Sequence, residues 1–298
     1  MIQWIRNILP VYEKETMTSS RTIRLTAIVL GFNLILTLVG LLQLQLMVRD
    51  SMYYGEMAYS SLLHMYMLVA VSEAAIILFI VPALTAGSIS GERERQTLDL
   101  LLCTRLRPVD IVVGKLVSCL STAFIMMVTS LPILSLVYIY GGLGITDLAQ
   151  LFFCLAVTTL YIGSVSIFFS ALMKRTTVAT VLSYLAVIFV VVGTLMLLVL
   201  VYHLQVLMGT DGVLAQENMM YPWNLILLIN PAMTFYNLLV QQIGTVDSFQ
   251  ILENYGYYIV TEHLTASWWW MASSLLQVGV SVLFIQMASR AVCPLRKR

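Results

Sequence analysis

The sequence predicts an all-α, polytopic membrane protein of six spans, and three observations carry that prediction. Of 298 residues, 60% are hydrophobic and only 10% charged, and the mean hydropathy is +0.91. A soluble domain carries roughly 25% charged residues, so this chain lacks the polar side chains to cover a water-facing surface. Apolar runs long enough to cross about 30 Å of hydrocarbon at about 1.5 Å per residue recur at residues 25–48, 62–87, 115–140, 147–173, 178–202 and 268–290. These runs are long and continuously apolar, without the roughly ten-residue alternation of a barrel strand, which makes them helices. The net charge of +1 gives no reason to expect nucleic acid as a partner; the surroundings are a lipid bilayer. The whole of residues 1–298 reads as one transmembrane domain.

Residues 1–20 form a different kind of element. Ile2, Ile5, Leu9 and Tyr12 repeat at helical spacing, Trp4, Ile8 and Val11 widen the apolar face, and Arg6, Asn7, Glu13 and Lys14 lie opposite. This pattern predicts an interfacial amphipathic helix. Because a polar, mixed-charge stretch precedes the first apolar run, no cleaved signal peptide is expected.

Orientation follows from Lys and Arg, which short cytoplasmic loops retain. With the N-terminus inside, the inner segments hold Arg6, Lys14, Arg21 and Arg24, then Arg93, Arg95, Arg105, Arg107 and Lys115, then Lys174 and Arg175, and finally Arg290, Arg296, Lys297 and Arg298. Of the 16 basic residues only Arg49 falls outside. Both termini are therefore expected to be cytoplasmic, and residues 203–267, which contain five acidic residues and no Lys or Arg, external. Within that loop, residues 223–240 are nearly long enough to cross. The Asn230-Pro231 step breaks a helix there, which predicts two short helices lying on the outer surface or dipping partway in. Trp268, Trp269 and Trp270 then mark the outer interface of the last span.

The one polar island with local design spans residues 88–114. Ser90 is placed to cap a helix, Glu92 and Glu94 suit its first turn, and Arg95 stands four residues before Asp99. Leu98, Leu101 and Leu102 share one face, giving a short helix with an apolar stripe that suits a groove on another protein. Pro108 ends it, and Gly114-Lys115 opens the third span.

Gly87, Ser88, Ile89, Glu92, Glu94, Thr97, Leu98, Asp99, Leu101, Leu102, Ile111, Val112, Gly114 and Lys115 make this segment similar to the corresponding one in the type-2 permeases of ATP-binding-cassette (ABC-2) transporters, mostly exporters. The resemblance extends to six spans, an N-terminal interfacial helix and an Asn-Pro in a long loop between spans five and six. It implies a membrane permease subunit whose segment 88–114 is the coupling helix seated on a nucleotide-binding ATPase, with Glu92, Arg93, Glu94, Thr97, Leu98, Leu101, Leu102 and Lys115 as the coupling residues. It also implies a second permease copy, identical or a sister chain, and a place in the plasma or inner membrane. Two positions depart from the family pattern. Gln96 stands where Gly is usual, and Thr104-Arg105 replaces a Ser/Thr-Pro pair, with Pro108 three residues on.

No G-x-x-x-x-G-K-[ST] phosphate loop occurs, since Leu116 follows Gly114-Lys115 and residue 109 is Val. ATP and magnesium are therefore expected on the partner ATPase, with no cofactor and no metal in this chain and no catalytic residues. The four cysteines, Cys103, Cys119, Cys154 and Cys293, lack metal-ligand or disulfide-framework spacing. Glu73, about halfway along the second span, is the only ionisable group well inside a predicted span. It is a candidate pathway residue, against the alternative of a neutral carboxyl bonded to a neighbouring Ser, Thr or carbonyl. His64 and His203 fall near outer span ends, and the His263–Glu262 pair has no catalytic context. The rival readings are an ion-coupled carrier or channel working alone, disfavoured by the single intramembrane carboxylate and lack of a repeat, and an ATP-driven complex that signals rather than transports.

Overall fold

A computed structural model describes residues 23–54, 59–98, 103, 107–141, 144–207, 225–243 and 268–292, and every regular element among them is helical. Helix α1 spans Ile23–Tyr54 and α2 Tyr59–Thr85, followed by a short α3 at Ser90–Glu94. Then come α4 at Pro108–Gly141 and α5 at Ile145–Leu172. The fifth span joins α6 (Thr176–Ile188), a π-helical segment (Phe189–Gly193) and α7 (Thr194–Leu207). A 3₁₀ segment (Leu225–Ile229) precedes α8 (Pro231–Ile243), and α9 covers Trp269–Val292. Six stretches are long and apolar enough to cross a membrane: Leu25–Arg49, Met65–Glu94, Pro108–Ser135, Ile145–Leu172, Thr176–Val201 and Trp269–Val292. The protein is a multi-pass membrane protein. The expected helix at 1–20 and most of the 203–267 loop lie outside the described residues.

Two boundaries differ from the sequence reading. The second span continues through a tightened turn at residues 86–89 into α3, because Ala86 N–H reaches the Pro82 carbonyl and Gly91 N–H the Gly87 carbonyl. The third span starts at Pro108, which begins α4 rather than only ending what precedes it. Proline suits the first helical position, where its missing N–H would have no partner. Lys115 thus lies two turns inside α4.

The fourth span is the axis of the bundle, with 72% of an 18-residue apolar stretch buried, against 17% for the first span and 11% for the fifth. Its buried face carries Gly163, Ser164, Ser166, Ser170 and Ala171, and α9 answers with Ser273, Ser274, Ser281 and Ala288. Small residues let helix backbones approach closely in lipid, where packing rather than water exclusion holds helices together. Gly163 serves a different side of α5, where a Cβ would sit 3.0 Å from Leu116 Cδ1 of α4. Phe153 meets Trp270, and further along both helices Phe168 meets Phe284, so α5 and α9 run parallel.

Between Leu225 and Ile243 the chain forms the two short helices expected on either side of Asn230-Pro231. Asn230 Oδ1 accepts the Ala232 N–H at 2.9 Å, capping α8, and Pro231 takes its first position. The pair is inserted among the span ends, since Leu227, Phe235, Leu238 and Leu239 are all buried. Tyr66 donates to Gln242 Oε1 at 2.7 Å and Gln242 Nε2 donates to the Asp147 carbonyl at 2.9 Å, fastening the end of α8 to spans two and four.

Candidate functional site

The segment after the second span is built on backbone bonds that the sequence only partly foretells. Ser90 does not cap α3. It is buried, its hydroxyl donates to the Ala86 carbonyl at 2.9 Å, and the helix start is continuous with the turn before it. The anchoring hydroxyl comes instead from Ser170 on α5, whose Oγ accepts the N–H groups of both Ile89 and Ser90 at 3.0 Å. At the other end, Gln96 N–H bonds the Arg93 carbonyl at 3.1 Å and Thr97 N–H the Glu92 carbonyl at 2.9 Å. These are the two bonds of a Schellman termination, and its left-handed residue is Gln96, with φ 58. A glycine is usual there because a Cβ crowds the left-handed region. The local geometry is therefore kept although the usual residue is absent.

Three consecutive charged side chains then grip three different spans. Glu92 Oε1 pairs with Lys115 Nζ of α4 at 2.8 Å, and the same ammonium donates to the Ser88 carbonyl at 2.9 Å. Arg93 Nη1 donates to the Met173 carbonyl at 3.3 Å, with the Leu172 carbonyl at 3.5 Å, and so meets the negative end of the α5 dipole. Glu94 Oε2 accepts the Thr176 hydroxyl at 2.8 Å and lies 3.4 Å from its N–H, at the positive start of α6. Helix α3 is thereby bonded directly to the third, fourth and fifth spans.

The apolar side of the segment is turned inward. Leu98 is buried with Ile89, Val112, Leu116, Ile167, Ala171, Ala288 and Val292, closing this end of spans two, three, four and six. That corrects the expectation of an outward docking stripe at Leu98. Helical spacing assigned the leucine to a face without saying which neighbour the face meets. Leu101 and Leu102 lie outside the described residues, as do Asp99 and Thr104-Arg105. What the described segment presents outward is polar: Glu94, Arg95, Gln96 and Thr97 are exposed.

Glu73 is fully buried within the single chain, where Ser130 Oγ of α4 lies 2.7 Å from Glu73 Oε1. The serine contact is of the kind weighed as the alternative to a pathway role, and Glu73 Oε2 has no hydrogen-bond partner among the described residues. Side-chain partners of intramembrane polar residues are invisible to sequence periodicity, and Ser130 is one such partner.

A second polar cluster, which the sequence reading missed, lies where the inserted pair meets spans five and six. Asn230 Nδ2 donates to the Val191 carbonyl at 3.0 Å, inside the π-helical segment, and to Thr194 Oγ1 at 2.8 Å. Thr234 Oγ1 is 2.6 Å from Ser273 Oγ, which donates to the Leu228 carbonyl at 2.7 Å. Gln277 Nε2 of α9 donates to Thr234 Oγ1 at 2.9 Å. Asn230, Thr234, Ser273 and Gln277 are all 0% exposed. The available signal was the run of polar residues, Ser273, Ser274, Gln277 and Ser281, along one span.

No curated protein matches the chain. A family model described as ABC-2 family transporter protein matches residues 9–288.

Proposed function

Since the chain belongs to the ABC-2 transporter family, a family of membrane permease components, we propose that residues 1–298 form the permease domain of an ATP-driven exporter. In this reading two permease copies surround the pathway, and separate ATPase subunits, holding ATP and magnesium, bind the face that carries residues 86–98. That face and both termini are cytoplasmic, in the plasma or inner membrane, which the division of basic residues supports. The observation that carries the proposal is the grip of Glu92, Arg93 and Glu94 on three spans at once. A segment that only docked a partner would need outward side chains and no such bonds.

The coupling residues then act in two ways. Arg95, Gln96 and Thr97 form the outward tip available to the ATPase, while Glu92, Arg93, Glu94, Leu98 and Lys115 transmit its movement into the bundle. Leu101 and Leu102 complete the segment. Glu94→Ala tests this division, because it frees the start of the fifth span and leaves the tip in place. Purified with its ATPase and reconstituted in vesicles, the variant should keep full ATPase association and lose most substrate-stimulated hydrolysis. A variant that retains full stimulation removes Glu94 from the coupling route, and a wild-type chain that moves substrate with no ATPase present overturns the exporter reading.

A further inference from the structure

We propose that Asn230 is a latch that holds the fifth span closed against the inserted helix pair, with the π-helical segment Phe189–Gly193 as the joint on which that span moves when the latch releases. The proposal rests on the transport reading above and adds a part to it at the opposite face.

The fifth span packs on the bundle through one narrow face that includes Ala179, Ser183 and Val187. Val178, Val181, Leu185, Ile188, Phe189 and Val192 all face away from the bundle. Polar ties fix it at three heights: Thr176 to Glu94 at its start, Tyr184 to the Phe79 carbonyl at 2.9 Å, and the Asn230 pair at Val191 and Thr194. At the third tie the helix is π-wound. A π turn interrupts the regular i to i−4 ladder and is a place where helices deform and where functional sites collect. Here its Val191 carbonyl takes a bond from outside the span.

Asn230 is suited to a latch because it serves two structures at once. Its Oδ1 caps α8 through Ala232, and its Nδ2 reaches across to the fifth span. In a water-poor site the amide hydrogens need both acceptors or none, since a buried unpaired donor is costly. The contact therefore has a closed state, and an open state in which water or another acceptor must arrive. Beyond the joint, Leu198 of α7 packs with Leu227 and Trp269, and it becomes reachable only when the span leaves the pair. Pulling Thr176 through Glu94 at one end thus has a defined yield point at the other.

The test uses the permease–ATPase complex in lipid nanodiscs, where reagents reach both faces, with the native cysteines replaced. One single cysteine replaces Leu198 and, in a separate protein, another replaces Leu155, which is buried in the core of the fourth span. A polar, membrane-impermeant maleimide is the probe. Without nucleotide the Leu198→Cys parent should label slowly. Asn230→Asp keeps the acceptor that caps α8 and loses the donor, so labelling should rise at least tenfold. Thr194→Val, which removes one of the two acceptors and leaves the α8 cap intact, should raise it about threefold and decides the matter if Asn230→Asp does not fold. The Leu155→Cys protein should stay unlabelled throughout. Parent-like rates in the variants overturn the latch, as do equal rises at both cysteine positions, which signify general loosening. A non-hydrolysable ATP analogue should speed labelling of the parent; if it does not while the variants label fast, the latch stands and the ATP-coupled reading fails.

Discussion

The fourth and fifth spans are similar in length yet are held by opposite means, and the more apolar of the two, the fifth, is the less buried. The fourth has 72% of an 18-residue stretch buried and packs through large side chains in its first half and small ones in its second; the fifth has 11% buried and is tied at separate polar points. Dense packing in lipid gains its energy from many van der Waals contacts that must all be lost together. A few hydrogen bonds can be exchanged one at a time. The contrast separates a densely packed axis from a member with most of its surface exposed, although both carry a predominantly apolar sequence.

The largest expected effect comes from cutting the ion pair that ties α3, the segment bonded to both spans, to the third span. Lys115→Met leaves the Glu92 carboxylate, about four-fifths buried, without its cation, and breaking a buried pair costs about 3 kcal/mol or more. The variant should melt far below wild type in detergent, and adding Glu92→Gln should recover much of the loss. Equal melting of wild type and Lys115→Met would mean that the pair does not hold the segment.

A smaller effect distinguishes the two spans directly. Leu155→Ala opens a cavity in the fully buried core of the fourth span and should cost about 2 kcal/mol, mostly cavity rather than transfer energy because the surroundings are lipid. Leu185→Ala in the fifth span, where the side chain is half exposed, should stay within about 0.5 kcal/mol. Thermal unfolding of the two variants side by side checks this, and similar losses would erase the distinction. The smallest expected change is a gain. Gln96→Gly relieves a left-handed residue and should stabilise the protein by about 0.5–1 kcal/mol, read as a slight rise in melting temperature. A fall would show that the Gln96 side chain makes a contact worth more than its backbone strain.

The sequence made the spans legible because their signal is local and long. Asn230-Pro231 was equally readable, since a capping side chain and a proline act on their own backbone. Ser90 misled because its capping tendency is a local preference, and the Ser170 hydroxyl, 80 residues away, already takes its N–H. Leu98 was assigned to the correct kind of surface and the wrong neighbour, because a periodicity of leucines reports a face and not what covers it. The grip of Arg93 and Glu94 on Met173 and Thr176 has no sequence signature at all. It depends on where two other span ends arrive, and only the assembled bundle determines that.

The π-wound segment also sets an angular phase between the two halves of the fifth span. Each residue of an α-helix advances the screw by about 100°, so the extra residue accommodated in Phe189–Gly193 rotates everything after it relative to everything before. Thr176 and Tyr184 address one set of neighbours, while Thr194 and Leu198 address another on a different bearing. Deleting one residue there would restore an unbroken α-helix of nearly the same apolar character. It would leave Thr194 on its bearing toward Asn230, whereas rewinding the segment as α-helix with every residue kept would turn Thr194 about a quarter of a revolution away. One chain position thus works as an indexing tooth that lets a single rod face two differently oriented partners.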